Sequence, residues 1–162
     1  MARASIDTEM IMVALDDHTE TEYFLDLETG EVERISSDPT EGDEEIIEQI
    51  ENNPERYRRI DPIDSSQAFQ VMEDYVSSLP ESEAKRTLSQ ALSRPHPFRT
   101  FKDALLSLPD FREKWFRYHD EVYKEFAISW LEEEGVEGDL RPIWFEKKAK
   151  RTRKRDAPRA GG

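Results

Sequence analysis

An α+β domain, helical for most of its length with a small antiparallel sheet near its start, is the fold class this sequence predicts. Three observations predict it. YFLDLETGEVERI reads as a β-hairpin, apolar residues from Asp64 onward recur at spacings of three and four, and 162 residues with 36% hydrophobic content suit one core. The expected organisation is a single domain over residues 1–145, four to five helices packed with the sheet, and a disordered basic tail over 146–162.

In chain order, Met10-Ile11-Met12-Val13-Ala14-Leu15 is a short apolar run and predicts a strand. Leu25 and Leu27 alternate with Phe24 and Asp26, the period of two of a strand whose faces meet different environments. Glu28-Thr29-Gly30 supplies the turn, with Gly30 free to adopt a left-handed conformation. After the polar break SSDPTEG, Ile46, Ile47 and Ile50 fall on one side of a short helix whose other face is acidic. ERYRRI then predicts a third strand that ends before Pro62.

From Asp64, a cap residue with Gln67 three positions later, a helix carries Phe69, Met72, Tyr75, Val76 and Leu79. Pro80 is expected to open the next helix, whose face is Ala84, Leu88, Ala91 and Leu92. Arg94-Pro95-His96-Pro97 must interrupt it, since prolines remove donors and push their predecessors out of helical geometry. A helix over Phe98–Ser107 follows, with Phe98, Phe101, Leu105 and Leu108 in register. The longest helix starts at Pro109, presents Phe111, Trp115, Tyr118, Val122, Phe126 and Trp130, and stops at Gly135. Ile143, Trp144 and Phe145 are a last apolar anchor.

Charge divides the chain. The net −14 combines residues 141–162, with nine Lys or Arg and two acids, and residues 1–140, with 14 bases and 35 acids, so the body is −21 and the tail +7. So acidic a body repels nucleic acid and anionic membranes wherever its charge is evenly spread. The chain has no cysteine, which excludes disulfides and thiolate catalysis, and no stretch apolar enough for a signal or a span; a cytoplasmic location is expected.

Two stretches, YFLDLETGEV and FRTFKDALLSLPDFREKWFRYHDEVYKEFAISWLEEEGV, are similar in order and separation to the uncharacterised protein family UPF0158, over roughly residues 23–136. The resemblance implies an α+β domain with a hairpin joined to several helices and implies no reaction, substrate or cofactor. Arg94-Pro95-His96-Pro97 departs from the glycine-containing link of the family, and the acidic segment 41–51 and the basic tail lie outside its signature.

The candidate ligand site is Arg99 and Lys102 with Trp115, Tyr118, His119 and Asp120 on the following helix, where cations beside aromatic faces suit a phosphate or a base. The competing reading places the aromatics in the core and pairs Arg99 and Lys102 with Asp103, Asp120 or Glu121. His119, Asp120 and Glu121 are successive on a helix and point in three directions, so no metal site is expected, and no cofactor. Lys147, Lys148, Lys150, Arg151, Arg153, Lys154 and Arg155 form a run suited to nucleic-acid phosphates or to an acidic protein surface. Three functions follow: a binding or interaction domain without a catalytic site, a nucleic-acid-associated accessory protein using the tail, or an enzyme using His119 with a carboxylate.

Overall fold

A computed structural model describes residues 4–147. The elements succeed one another as β1 (Ser5–Ile6), α1 (Thr8–Asp16), β2 (Glu22–Asp26), β3 (Val32–Ile35), α2 (Glu41–Asn52), β4 (Tyr57–Arg59), α3 (Ser65–Ser78), α4 (Glu83–Leu92), α5 (Pro97–Leu106), α6 (Pro109–Glu133) and β5 (Asp139–Leu140), and the described chain ends in helical residues 144–147. The class is α+β, as expected. The described residues sort into two compact units, a sheet unit of 4–62 with 126–147 and a helical unit of 63–125.

In the sheet unit, β2 and β3 form the antiparallel hairpin, with Phe24 opposite Glu33 and Leu25 opposite Val32. Gly30 sits at φ 79°, and a Cβ there would lie 2.0 Å from the Ser5 carbonyl oxygen, so both the turn and the close approach of β1 require glycine. The third strand forms on the other edge of β2, giving the order β3-β2-β4. Tyr23 and Leu25 point into the core. The pattern does not alternate cleanly at β4, where both Tyr57 and Ile60 are buried. β1 and β5 add a short parallel pair that joins Ser5 to Asp139 and Ile6 to Leu140.

The run Met10–Leu15 is helical, not a strand. Asp7 caps α1 by accepting from the Met10 amide at 3.2 Å, and Thr8, Ile11, Met12, Ala14 and Leu15 are buried while Val13 is 47% exposed. That burial follows three- and four-residue spacing, so one helical face accounts for it and a two-residue period does not. α2 forms with Asp43 accepting from the Thr40 amide at 3.0 Å, yet none of its residues is buried. The C-terminal anchor docks as expected, with Ile143 and Phe145 buried and Trp144 exposed.

The helical unit departs from expectation in two details. Pro80 does not open α4: Leu79 is extended, Pro80 lies in the link, and the helix starts where the Ser82 hydroxyl accepts from the Lys85 amide at 3.2 Å. Along α6 the buried row is Trp115, Tyr123, Ala127 and Leu131, which keeps Trp115 of the expected face and leaves Tyr118, Val122, Phe126 and Trp130 only half-buried. A row spaced by four residues drifts about 40° per step, so this stripe winds around a helix of 25 residues. Gly135, at φ 68°, ends the helix as predicted.

Candidate functional site

In the helical unit an aromatic cluster determines which side chains remain available to a ligand. Trp115 meets Phe101 edge-on at 5.1 Å and Tyr75 at 5.4 Å, and Tyr118 lies 5.4 Å from Tyr75. The Tyr75 hydroxyl donates to the Phe111 carbonyl at 2.7 Å, which satisfies its polar end inside the cluster. Burial pushes the phenols of Tyr75 and Tyr118 above the ordinary tyrosine range, with the Asp74 charge adding to the effect at Tyr118. Trp115 and Phe101 are core residues, and Tyr118 is half-buried beside them.

His119 belongs to the same cluster. Its ring stacks on Tyr123 at 4.1 Å, meets Trp115 at 5.4 Å, and places Nδ1 2.8 Å from Asp120 Oδ1. Neighbours on a helix therefore meet here despite their divergent directions, and the contact fixes the imidazole. Among the described residues no group of three or more His, Asp or Glu is placed to hold a metal ion.

Arg99 and Lys102 stand apart from the aromatics. α5 buries Phe101 and Leu105, which turns Arg99 and Lys102 outward, and both are exposed. The expected surface pairs do not form: Glu121 holds Arg117 at 2.8 Å, Asp120 holds His119, and neither Arg99 nor Lys102 has an ion pair among the described residues. Phe98, one turn before Lys102, is 37% exposed and rests edge-on against Phe69 at 6.3 Å.

Phe69 leads to a feature that sequence reasoning missed. A shallow groove of about 370 Å³ lies between α3 and α4, with Phe69, Val76 and Leu92 as apolar lining and Ser77, Ser89 and Ser93 as hydroxyls. Residues 84–102, which supply one wall and continue into α5, contain five Lys or Arg and no acid, in a chain where more than a fifth of residues are Asp or Glu. That gap in the acid pattern was the available signal. A second groove of about 320 Å³, in the sheet unit, has Phe24, Ile35, Ile47 and Ile50 as lining and Glu20, Glu22 and Glu51 among its polar residues.

Of the tail, only Lys147 is described. Its Nζ lies 3.6 Å from Glu9 Oε1 on α1. Lys148, Lys150, Arg151, Arg153, Lys154 and Arg155 lie outside the described residues.

The sequence profile of the Uncharacterised protein family (UPF0158) matches residues 4–146. The chain belongs to the UPF0158 family. A UPF0158 protein of Pseudomonas aeruginosa is 34% identical over 137 residues, which cover 85% of this chain and 88% of that relative. No solved structure matches the chain. The UPF0158 match runs from β1 through Phe145, so it includes α2 and its acidic segment, expected to lie outside the signature. No helix among the described residues is long and apolar enough to cross a membrane.

Proposed function

We propose that this UPF0158 protein is a binding domain without a catalytic step of its own, and that it meets anionic ligands through the outer face of α5. The observation that carries this reading is that Arg99 and Lys102, three residues apart on one helix, are exposed and have no ion pair among the described residues. In the sheet unit, by contrast, Arg56, Arg58, Arg59 and Arg141 each meet a carboxylate. The enclosure of His119 between Trp115 and Tyr123 favours a packing part for that ring over general acid–base work.

The test is titration of the full chain with inorganic polyphosphate across a salt series. Binding should weaken as salt rises, and Arg99→Glu with Lys102→Glu should weaken it at least about tenfold, since each lost cation–phosphate contact removes counterion release. Unchanged affinity in the double variant rules α5 out. The second reading is a nucleic-acid arm formed by Lys147 to Arg155, supported by the +7 charge of residues 141–162. It predicts that a chain ending at Lys147 loses polyphosphate binding while the α5 double variant retains it.

A further inference from the structure

The α3–α4 groove and the cation-rich stretch that leads from it into α5 have features that the α5 reading alone does not explain. The groove lining is apolar at Phe69, Val76 and Leu92, and the hydroxyls of Ser77 and Ser89 have no hydrogen-bond partner among the described residues. A hydroxyl both donates and accepts, which suits the polar edge of a planar heterocycle. At about 370 Å³ the groove is near the small end of ligand sites, which run from roughly 300 to 1,000 Å³. A volume of that size accommodates a single base.

The cations lie where phosphates flanking such a ring would run. Ser93 is a groove residue and Arg94 follows it; Phe69 is a groove residue and its ring meets Phe98, which Arg99 follows. Lys85 is occupied by Glu81 at 3.1 Å, whereas Arg86, Arg94, Arg99 and Lys102 are exposed and without ion pairs among the described residues. Glu73 is the one acid among the groove residues. An acidic peptide would satisfy the cations but would leave the exposed ring of Phe98 and the apolar lining at Phe69, Val76 and Leu92 unused. A duplex would offer phosphates while keeping its bases stacked inside.

We infer that the α3–α4 groove together with Arg94, Phe98, Arg99 and Lys102 binds single-stranded nucleic acid. A base stacks on the exposed ring of Phe98, with Phe69 edge-on beside it, and its flanking phosphates lie on Arg94, Arg99 and Lys102. The inference rests on the anion-binding reading of α5 and adds the base to it. Exposed Phe98 is the element that separates the two, because stacking on an aromatic ring needs a base and polyphosphate has none.

The full chain is titrated by fluorescence anisotropy with a labelled oligouridylate, a duplex of equal charge and inorganic polyphosphate. Oligouridylate should bind most tightly. Phe98→Ala, at a partly exposed position that leaves the core intact, should weaken oligouridylate about tenfold or more and leave polyphosphate unchanged. Arg94→Ala should lower the salt dependence of oligouridylate binding by about one phosphate contact. Equal affinity for oligouridylate and polyphosphate, with no effect of Phe98→Ala, overturns the base site and leaves the α5 reading standing. Failure of all three ligands to bind overturns both readings, and a preference for the duplex over oligouridylate overturns the base site.

Discussion

The sheet unit and the helical unit keep their charges in opposite ways. Residues 1–62 hold five bases and 19 acids and residues 126–140 hold five acids and no base, whereas residues 63–125 hold nine bases and 11 acids. The acidity of the body therefore belongs to the sheet unit. There Arg56, Arg58, Arg59 and Arg141 are tied to carboxylates. Arg56 donates to both oxygens of buried Asp26, at 2.9 and 2.8 Å, and pins β4 beside the hairpin turn. Arg141 donates to Ser5 at 2.9 Å and pairs with Glu31, which fastens β5 to β1 and to the same turn. In the helical unit aromatic packing takes over that structural work, and Arg86, Arg94, Arg99 and Lys102 have no ion pair among the described residues. Net charge alone suggests a protein that repels polyanions everywhere; the division shows that the repulsion is local.

The largest test of this contrast is Phe101→Ala. Phe101 is fully buried against Trp115, and its truncation should cost about 4 kcal/mol in chemical denaturation, as large-to-small changes of buried aromatics do. A cost under about 1 kcal/mol would mean that the aromatic cluster is not what holds the helical unit.

Next in size is Asp26→Ala, expected to cost about 2 kcal/mol by removing a buried, charge-assisted hydrogen-bond set. It also carries a pH signature. Burial raises the Asp26 carboxyl, but Arg56 and the Glu28 amide outweigh it and hold it below the usual range. Hydrogen bonds from Thr19 and Tyr23 lower Asp17, and the Arg141 hydrogen bond lowers Glu31. A folded value below the unfolded one gives stability that is present above about pH 4 and lost as pH falls through the folded value. All three carboxyls lie in the sheet unit, so its amide resonances should weaken first on acidification, and Asp26→Asn should flatten that limb.

Tyr23→Phe comes third, at about 1 kcal/mol, by removing the hydroxyl that donates to Asp17 at 2.5 Å. Burial and that hydrogen bond push the Tyr23 phenol up to about 12. Its contribution is complete below about pH 10 and fades as pH rises toward the folded value, so the variant should flatten the alkaline limb. The smallest change is Asp43→Ala, worth about 0.5 to 1 kcal/mol at the start of α2 and read as faster amide exchange at the first turn.

Local signals in the sequence were legible where one face of one element decided the outcome. The hairpin turn at Gly30, the break at Arg94–Pro97 and the stop at Gly135 each follow from backbone chemistry at a few residues. Met10–Leu15 reads as a strand because six consecutive apolar residues obscure the period, and the deciding signal is Asp7, three residues before Met10. Asp26–Arg56 and Ser5–Arg141 escaped because they join residues 30 and 136 positions apart, with no local signature. The site was legible in its residue types but not in their grouping. Arg99 and Lys102 are exposed in the proposed site, whereas Trp115 beside them in the sequence reading is buried, and the open ring is Phe98, which the helical register places in the core.

The parallel pairing of β1 with β5 also sets a schedule for synthesis. The helical unit is encoded wholly between the two parts of the sheet unit, so a growing chain completes residues 63–125 before Asp139 and Leu140 exist to pair with Ser5 and Ile6. At about 5–20 residues per second, that interval is on the order of 10 s after Ile63 is added. Throughout it, the nascent chain carries β1 without its partner strand, and every partial product shorter than Asp139 shares that state.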